Sequence, residues 1–307
     1  MSLEYYLNLR DSAIPNVCDV FKAVSRDAWA RIYFSRKTPR LKIHETSITQ
    51  NIVYQMNLLK ERFPSLGFDL YESANEKAHG DDLELTISQD DGNYVTYAIQ
   101  SKIIYHRRKG GKAKFEDGYY DRLNHWVGKD EKRKAQVDLL LSYANEHGFI
   151  PLYMLYNYVN SKEIKSNVDN ELFGCTVVNA NYHKINHTIN GNLDNKLTFS
   201  FLHPKNGFPW HELICGNPNI LSQLNNNNLT SLNQLSSSLV NYFQTLSLSD
   251  QWKEIDLSYP KIYDDKKDQD VPYLQEYTND ELQQADKEDV PIVFLPKFKI
   301  VIHQTKS

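Results

Sequence analysis

Cysteine is scarce in this sequence, and its three copies form no simple metal-binding motif. Cys18, Cys175 and Cys215 lie far apart, and none belongs to a CxxC pair or to a Cys/His pairing. Because such pairs are the usual ligands of structural zinc, nothing in the cysteine spacing indicates a zinc site. An odd number of distant cysteines also favours reduced thiols, as in a cytoplasmic protein.

Long apolar runs are missing as well. No stretch approaches the roughly 18 apolar residues that can span a bilayer, and residues 1–4 lack the basic and apolar regions of a signal peptide. With 40% hydrophobic and 24% charged residues, the composition is that of an ordinary soluble globular protein. We therefore expect a cytoplasmic protein without membrane contact.

A general excess of positive charge is the third absence. The formal net charge is −4, which by itself argues against binding to nucleic acid. The charge is unevenly distributed, however. Residues 101–134 carry 11 Lys/Arg against 5 Asp/Glu, a local charge of +6, whereas residues 250–290 carry 13 acidic against 5 basic residues, a local charge of −8. The basic segment is either a solvated face or a surface that binds phosphates.

Hydrophobic periodicity predicts two helices and then three strands. Helical spacing covers residues 16–33 and 46–63, with a basic, proline-containing linker over residues 35–42. Alternation typical of strands follows, and residues 90–93 have the composition of a hairpin turn. The predicted strands cover residues 68–73, 82–88 and 94–105.

A further helix and a further strand complete this order. Residues 130–147 are predicted to be helical and to end at Gly148, and residues 150–157 are apolar on both faces, as in a buried strand. Beyond residue 160 the predicted elements are strands over 172–178, 196–202 and 290–303, a helix over 229–246, and an acidic loop over 264–289.

Three polar residues meet at one point of the predicted strand pair. Asp82 opens one strand two residues after Gly80, and Gln100 and Lys102, two residues apart, project from one face of its partner. A lysine in so apolar a strand needs a partner or a role, and Asp82 is the nearest candidate partner. Phosphodiester hydrolysis uses such groups, since oxygen ligands hold a divalent cation and a nearby cation stabilises the transition state.

Together with a helix that begins at Glu45, these residues resemble the PD-(D/E)xK restriction-endonuclease-like superfamily over residues 44–158. The resemblance implies an α/β (α+β) fold whose αβββαβ core has a mixed central sheet, extended by an N-terminal helix and a C-terminal α/β region. It further implies a Mg²⁺ or Mn²⁺ site with one lysine beside it. The residues implied are Glu45, Asp82, Gln100 and Ser101 as metal ligands, and Glu45, Asp82, Gln100 and Lys102 as catalytic residues.

Gln100 departs from the usual pattern of that superfamily, which has Asp or Glu at this position. Some active members carry the same QxK form, but the lost negative charge should weaken the binding of Mg²⁺. A narrower resemblance is to an uncharacterised bacterial family within the superfamily, which implies a role in phage defence or on mobile elements. It rests on residues 45–49, Gln100-Ser101-Lys102, Gln136, residues 151–157, residues 173–175, and His203-Pro204 to Trp210.

Each of these residues also has a purely structural interpretation. Asp82 and Lys102 can form a cross-strand pair worth under about 1 kcal/mol if exposed. Glu45 can simply be a carboxylate at a helix N-terminus, stabilised by roughly 0.3–1 kcal/mol. Glu84 shares a face with Asp82 and is most simply a surface residue.

The basic segment supplies the candidates for contact with nucleic acid. Its cations would bind phosphates, and Tyr105, Tyr119 and Tyr120 would stack on bases. Gln136, at a helix start, would face the substrate. The residues predicted to contact nucleic acid are Arg107, Arg108, Lys109, Lys112, Lys114, Lys132, Arg133 and Gln136.

The predicted organisation is an N-terminal helical extension (1–43), a nuclease core (44–160) and a C-terminal extension packed on the core (161–307), or one continuous domain. The expected function is that of a metal-dependent endonuclease acting on DNA rather than RNA, as a homodimer and with a defence-system partner protein. The alternative is a catalytically degenerate module with the nuclease fold, which binds nucleic acid or a protein.

Overall fold

The computed structural model describes a little over half of the chain. The described residues are 3–7, 14–38, 41–73, 83–88, 94–106, 108–109, 112–114, 118–120, 123, 126–127, 134–160, 169–181, 198–203, 207–215, 252–254 and 296–303. The predicted hairpin turn, the predicted helix over 229–246 and the acidic loop over 264–289 lie outside them.

Three helices precede the first strand: α1 (Leu3–Leu7), α2 (Val17–Lys37) and α3 (Glu45–Arg62). The side chain of Asn16 caps α2 by accepting a hydrogen bond of 2.8 Å from the backbone N–H of Asp19. The helix is longer than its apolar spacing predicted, and the linker therefore does not begin at Ser35. The last turn is stabilised from outside the helix, because Arg36 donates a hydrogen bond of 2.9 Å to the carbonyl of Ile104.

Within the described residues, nine strands form one sheet, and the other four form two small strand pairs. The order across the sheet is β11-β10-β9-β3-β2-β13-β1-β12, and β6 pairs separately with β3. The sheet strands are β1 (Phe68–Ser73), β2 (Leu83–Ser88), β3 (Tyr94–Tyr105), β6 (Tyr119–Tyr120), β9 (Ile150–Tyr156), β10 (Cys175–Asn179), β11 (Gly207–Pro209), β12 (Trp252–Glu254) and β13 (Phe298–Ile302). The small pairs are β4 (Arg108–Lys109) with β5 (Lys112–Ala113), and β7 (Trp126–Val127) with β8 (Lys134–Ala135).

The sheet is mixed, which confirms the predicted α+β fold class. β3 pairs antiparallel with β2, with Leu83 opposite Ile99, and parallel with β9, with Gln100 opposite Tyr153. The chain order from α3 to β9 is helix, three strands of the central sheet, helix and strand, with short strands before the second helix. That helix, α4 (Gln136–His147), ends at Gly148, which has the left-handed φ of 70° expected there.

The C-terminal strand β13 lies between β1 and β2. It runs parallel to β2, with Lys299 opposite Glu84, and antiparallel to β1, with Ile300 opposite Leu70. A strand close to the end of the chain is therefore a central member of the sheet. The part of the predicted strand over residues 290–295 lies outside the described residues.

Three predicted elements need correction. α4 begins at Gln136 rather than at residue 130, because Lys134–Ala135 form a strand. The segment Asn170–Gly174 is a 3-10 helix, capped where the Asp169 carboxylate accepts the N–H of Glu171 at 3.1 Å. The end of the strand predicted over 196–202 is a short helix, Phe199–Leu202.

The helices cover opposite faces of the sheet. Thr49 of α3 contacts Ser101, with 3.4 Å between their hydroxyl oxygens, whereas Gln136 of α4 contacts Lys102. Because successive strand residues point to opposite faces, Ser101 faces α3 while Gln100 and Lys102 face α4. None of the helices in the described part of the chain is long and apolar enough to cross a membrane.

Two of the cysteines are joined, contrary to the prediction of three reduced thiols. Cys18 and Cys215 form a disulfide that ties the first turn of α2 to the turn after the 3-10 helix Trp210–Leu213. Cys175 is free and buried at the start of β10. No local pattern indicates this pairing, because the two cysteines are 197 residues apart.

Candidate functional site

Polar side chains interrupt the buried centre of β3. Ile99 and Ile103 are buried as expected for a central strand, but Gln100, Ser101 and Lys102 between them are also 7% exposed or less. Removing amide, hydroxyl and ammonium groups from water costs free energy unless each group finds a partner. The partners of these three residues therefore define what the site can do.

Lys102 contacts α4. Its Nζ donates a hydrogen bond of 2.9 Å to Oε1 of Gln136, the first residue of that helix. Gln136 is half-buried, so its amide oxygen holds the lysine without supplying a charge. Asp82, the partner that the sequence predicted for Lys102, lies outside the described residues.

The amide of Gln100 has no hydrogen-bond partner among the described residues. Both Oε1 and Nε2 are buried, and neither has a hydrogen-bond partner among the residues that the structure describes. A buried polar group left unpaired typically costs about 1–3 kcal/mol. Since Gln100 points to the same face as Lys102, this free amide oxygen is available to a ligand bound beside the lysine.

The register of β2 and β3 sets where a metal ligand from β2 would approach. Leu83, the first residue of β2, pairs with Ile99, the residue before Gln100. Asp82 precedes Leu83 in the sequence, and Glu84, two positions further, pairs with Ala98 on the α4 face. The sequence therefore carries a carboxylate immediately ahead of the strand end that adjoins Gln100.

Glu45 lies in α3, which packs on the face of β3 opposite Gln100 and Lys102. It is half-buried at the start of α3, and its backbone carbonyl accepts a hydrogen bond of 3.1 Å from Thr49. Thr49 in turn lies 2.8 Å from the hydroxyl of Tyr156. Burial raises the pKa of Tyr156, and the Glu45 carboxylate adds to this rise. The described contacts thus place Glu45 on the Ser101 side of the strand, away from the Gln100 and Lys102 side chains.

Glu84 is not the surface residue that the sequence suggested. It is 0% exposed, accepts a hydrogen bond from the hydroxyl of Tyr143, and lies 3.0 Å from Nζ of Lys299. Burial lowers the pKa of Lys299, and the Glu84 carboxylate opposes that shift. This buried ion pair stands beside Gln100 and Lys102 on the α4 face, and its lysine comes from the far end of the chain.

Some of the residues predicted to contact nucleic acid lie in the described part of the chain, and others lie outside it. Lys114 is exposed, and the backbone of residues 108–109 and 112–113 forms a two-stranded pair, with β5 lying against α2. Arg107, Lys132 and Arg133 lie outside the described residues. Tyr105 and Tyr119 are half-buried neighbours, with 6.2 Å between their ring centroids.

Tyr120 is unsuited to the stacking role predicted for it. Its ring is buried, and its hydroxyl donates a hydrogen bond of 2.6 Å to Oδ1 of Asn157. It is therefore a core residue. In strand β6 the alternation of side chains leaves only Tyr119 of this pair for an external ligand.

Metal-binding capacity within the described part of the chain is incomplete. No three His, Cys, Asp or Glu side chains converge there on one point. The available oxygens are the amide of Gln100, the carbonyl of Ser101 and the carboxylate of Glu45, and Asp82 would add a second carboxylate. Oxygen donors of this kind suit Mg²⁺ or Mn²⁺ rather than a soft metal.

Fold and site together define an α+β protein with a mixed nine-stranded sheet and a buried Gln-Ser-Lys tripeptide on its central strand. Residues 17–302 match the model of a family of unknown function, DUF6615, and the chain belongs to that family. Comparisons with curated proteins and with solved structures gave no match.

Proposed function

We propose that this protein is a metal-dependent endonuclease of the PD-(D/E)xK type that hydrolyses phosphodiester bonds of DNA. The observation that carries the proposal is the pair Gln100 and Lys102 on β3. Both are buried on one face, the lysine is oriented by Gln136, and the amide of Gln100 has no described partner. A binding site explains such an arrangement better than packing does, because packing alone would favour apolar residues here.

The donor set fits a hard divalent cation. Asp82, the amide oxygen of Gln100 and the carbonyl of Ser101 would hold Mg²⁺ or Mn²⁺, and the amide would gain the partner that the described residues do not supply. When bound, such a cation neutralises charge on the phosphate and makes water a better nucleophile. Glu45, predicted as a further ligand, lies on the opposite face of β3 from the Gln100 side chain and is left out of this donor set.

Lys102 has the clearest role among the chain's own groups. Its ammonium group is held by Gln136 on the α4 face of β3, where it would stabilise the negative charge that develops on the phosphate oxygens. A fixed cation in a water-poor site acts more strongly than one in bulk solvent, because little reorganisation is needed.

The proposal includes a bacterial defence or mobile-element context, a cytoplasmic location, a homodimer that cuts both strands, and a defence-system partner protein. The disulfide between Cys18 and Cys215 is the observation that opposes a cytoplasmic location, since the cytosol keeps most thiols reduced. The alternative function is a degenerate module that binds nucleic acid or a protein. Gln100 in place of a carboxylate favours that alternative.

A cleavage assay tests the proposal. The full chain is incubated with supercoiled plasmid, linear duplex, single-stranded DNA and RNA in Mg²⁺ or Mn²⁺, alongside Asp82→Asn and Lys102→Ala. Asp19→Asn serves as a matched control, because Asp19 lies in the exposed first turn of α2. We expect wild type and Asp19→Asn to cut DNA, and the two site variants to be inactive.

Two results would count against the proposal. Equal cleavage by wild type, Asp82→Asn and Lys102→Ala would place the activity elsewhere or in a contaminant. Absence of cleavage under all conditions, with DNA retarded in a gel, would favour the binding module.

A further inference from the structure

The end of α2 lies beside the end of β3 and carries two aromatic rings followed by two cations. Arg36 donates a hydrogen bond of 2.9 Å to the carbonyl of Ile104, and its guanidinium lies 5.5 Å from the centroid of the Tyr105 ring. The Tyr105 ring in turn neighbours that of Tyr119. We call the group the α2–β3 aromatic surface; it consists of Tyr33, Phe34, Arg36, Lys37, Tyr105 and Tyr119.

The Tyr33 ring of this surface is held in place by packing against other aromatic residues. Lys37 places its Nζ 4.4 Å from the centroid of the Tyr33 ring, and that ring packs against Tyr158 at 4.7 Å. Tyr158 itself packs against the buried Trp29 at 4.9 Å. A ring held in this way loses little conformational entropy when a ligand stacks on it.

Phe34 is the feature that packing does not explain. It begins the last turn of α2 and is 63% exposed, although a phenylalanine normally contributes to stability by burying its ring. Its neighbour on the helix surface is the cation Lys37, three residues on, whereas Arg36 points towards β3. An exposed ring next to cations is unsuited to a purely apolar partner, because binding would bury their charges unpaired.

The positive charge around this surface favours an anionic ligand. The C-terminus of a helix is partially negative and repels phosphate, but Arg36 and Lys37 in the last turn offset this. β5, from the basic strand pair Arg108–Lys109 and Lys112–Ala113, lies against α2, and Lys114 beyond it is exposed. Cations for phosphates and exposed rings for bases are the two components of sites for single-stranded nucleic acid.

We propose that the α2–β3 aromatic surface binds unpaired nucleotides of a single nucleic-acid strand. Bases in a duplex already stack on both faces, whereas an unpaired base can stack on Phe34 or Tyr33 while its phosphates meet Lys37 and Arg36. The inference rests on the proposed function in one respect, since it names single-stranded or unpaired nucleic acid as the substrate class. Tyr105 is three residues beyond Lys102 on β3, about 10 Å along the strand, and this odd spacing turns its side chain to the face opposite Lys102. A bound nucleic-acid strand therefore reaches the candidate site only by passing around the end of β3.

Binding without a divalent metal tests this inference separately from cleavage. Fluorescence anisotropy in EDTA measures the affinity of the full chain for a labelled single strand of about 20 nucleotides and for the corresponding duplex. The variants are Phe34→Ala, Lys37→Ala and the control Tyr54→Ala, which removes a ring of similar exposure from α3. Thermal unfolding of each variant checks that the fold is intact.

We expect the single strand to bind about tenfold or more tightly than the duplex. Phe34→Ala should weaken that binding roughly 5- to 100-fold, the loss of one stacked base, and Lys37→Ala should reduce the log–log salt slope by about 0.7. Tyr54→Ala should bind as wild type. Asp82→Asn should also bind as wild type, which separates this surface from the cleavage site.

Equal affinity for single strand and duplex overturns the inference. So does a Phe34→Ala variant indistinguishable from Tyr54→Ala. Failure of wild type to bind either nucleic acid also overturns it. Loss of cleavage with intact single-strand binding would reject the proposed nuclease activity while leaving this inference standing.

Discussion

Lys102 and Gln136 join the central strand to the first residue of α4 through a hydrogen bond of 2.9 Å between Nζ and Oε1. The contact brings together two residues that are far apart in sequence, and it fixes a buried ammonium group on the α4 face. Gln136 supplies no charge, so its part in the proposed reaction is to orient the lysine. Gln136 is therefore a positioning residue.

Replacement of Gln136 should impair the reaction more than the fold. We expect Gln136→Ala to lower kcat about tenfold or more through misplacement of Lys102, and to lower the free energy of unfolding by only about 1 kcal/mol. Asn145→Ala, which removes an exposed amide from the same helix, is the control. Steady-state cleavage and urea unfolding measure the two effects. A variant with wild-type kcat would show that the contact is structural.

Substitution of a carboxylate for Gln100 should strengthen metal binding and weaken the metal-free fold. Both amide atoms are buried without a described partner, so Gln100→Glu buries an unpaired charge that a cation would neutralise. We expect a lower melting temperature in EDTA, a larger rise on addition of Mg²⁺ than in wild type, and a roughly tenfold lower Mg²⁺ requirement for cleavage.

Gln50→Glu is the control for that experiment, because Gln50 is an exposed residue of α3. It should leave both the melting temperature and its response to Mg²⁺ unchanged. If Gln100→Glu gains no more from Mg²⁺ than Gln50→Glu does, no cation binds at position 100.

Local sequence pattern predicted the elements around the site but not their distant partners. The alternation of β3 placed Gln100 and Lys102 on one face, and the left-handed glycine ended α4 as expected. Strand pairing between remote segments leaves no such local trace. For that reason β13 was not expected between β1 and β2, and Glu84 was interpreted as a surface residue although Lys299 buries with it.

The aromatic residues show the same limit. Tyr119 and Tyr120 look equivalent in sequence, yet Tyr120 is buried because its hydroxyl reaches Asn157. Asn157 is held in the core by Phe173 and Thr176, and local pattern does not predict these contacts between remote segments. The sequence pattern ends the helix before Phe34 and places Arg36 in a linker, because the contacts of Arg36 with Ile104 and Tyr105 come from the remote strand β3.

Removing one partner of the buried pair Glu84 and Lys299 should lower the free energy of unfolding far more than removing both. Lys299→Met leaves the carboxylate buried with Tyr143 alone, and we expect the free energy of unfolding to fall by about 3–5 kcal/mol. The double variant Glu84→Gln with Lys299→Met should recover most of this loss, since neither charge is then desolvated. Urea unfolding measures both. A double variant as unstable as the single one would mean that the lost stability comes from altered packing and not from an unpaired buried charge.

Acid should destabilise the fold through three histidines. Burial lowers the pKa values of His106, His203 and His211 to about 4. From about pH 6.5 down to about pH 4 the unfolded chain binds protons at these rings and the folded protein does not, so the free energy of unfolding falls with pH over that window. Each histidine contributes up to about 1.4 kcal/mol per pH unit. The loss is complete below about pH 4.

His203 illustrates the cause and allows a direct test. Its Nδ1 lies 2.9 Å from the carbonyl of Phe199, and its Nε2 lies 2.8 Å from the hydroxyl of Thr176, which also accepts from Asn157. Both ring nitrogens are satisfied when the ring is neutral. Urea unfolding from about pH 7 to about pH 5 measures how the free energy of unfolding changes with pH. This pH dependence should be shallower for His203→Gln than for wild type, and it should be unchanged for the exposed control His44→Gln. Equal slopes for His203→Gln and wild type would exclude this ring.

The disulfide between Cys18 and Cys215 should stabilise the protein by restricting its unfolded chain. The two residues are 197 positions apart, so their link constrains most of the molecule, and reduction should lower the free energy of unfolding by about 2–5 kcal/mol. Cys18→Ser should reproduce that loss and abolish the response to reductant, whereas Cys175→Ala should keep the response. Protein purified without reductant should show one free thiol after denaturation. Three free thiols would mean that the pair is reduced when the protein is isolated, and would remove the one observation against a cytoplasmic location.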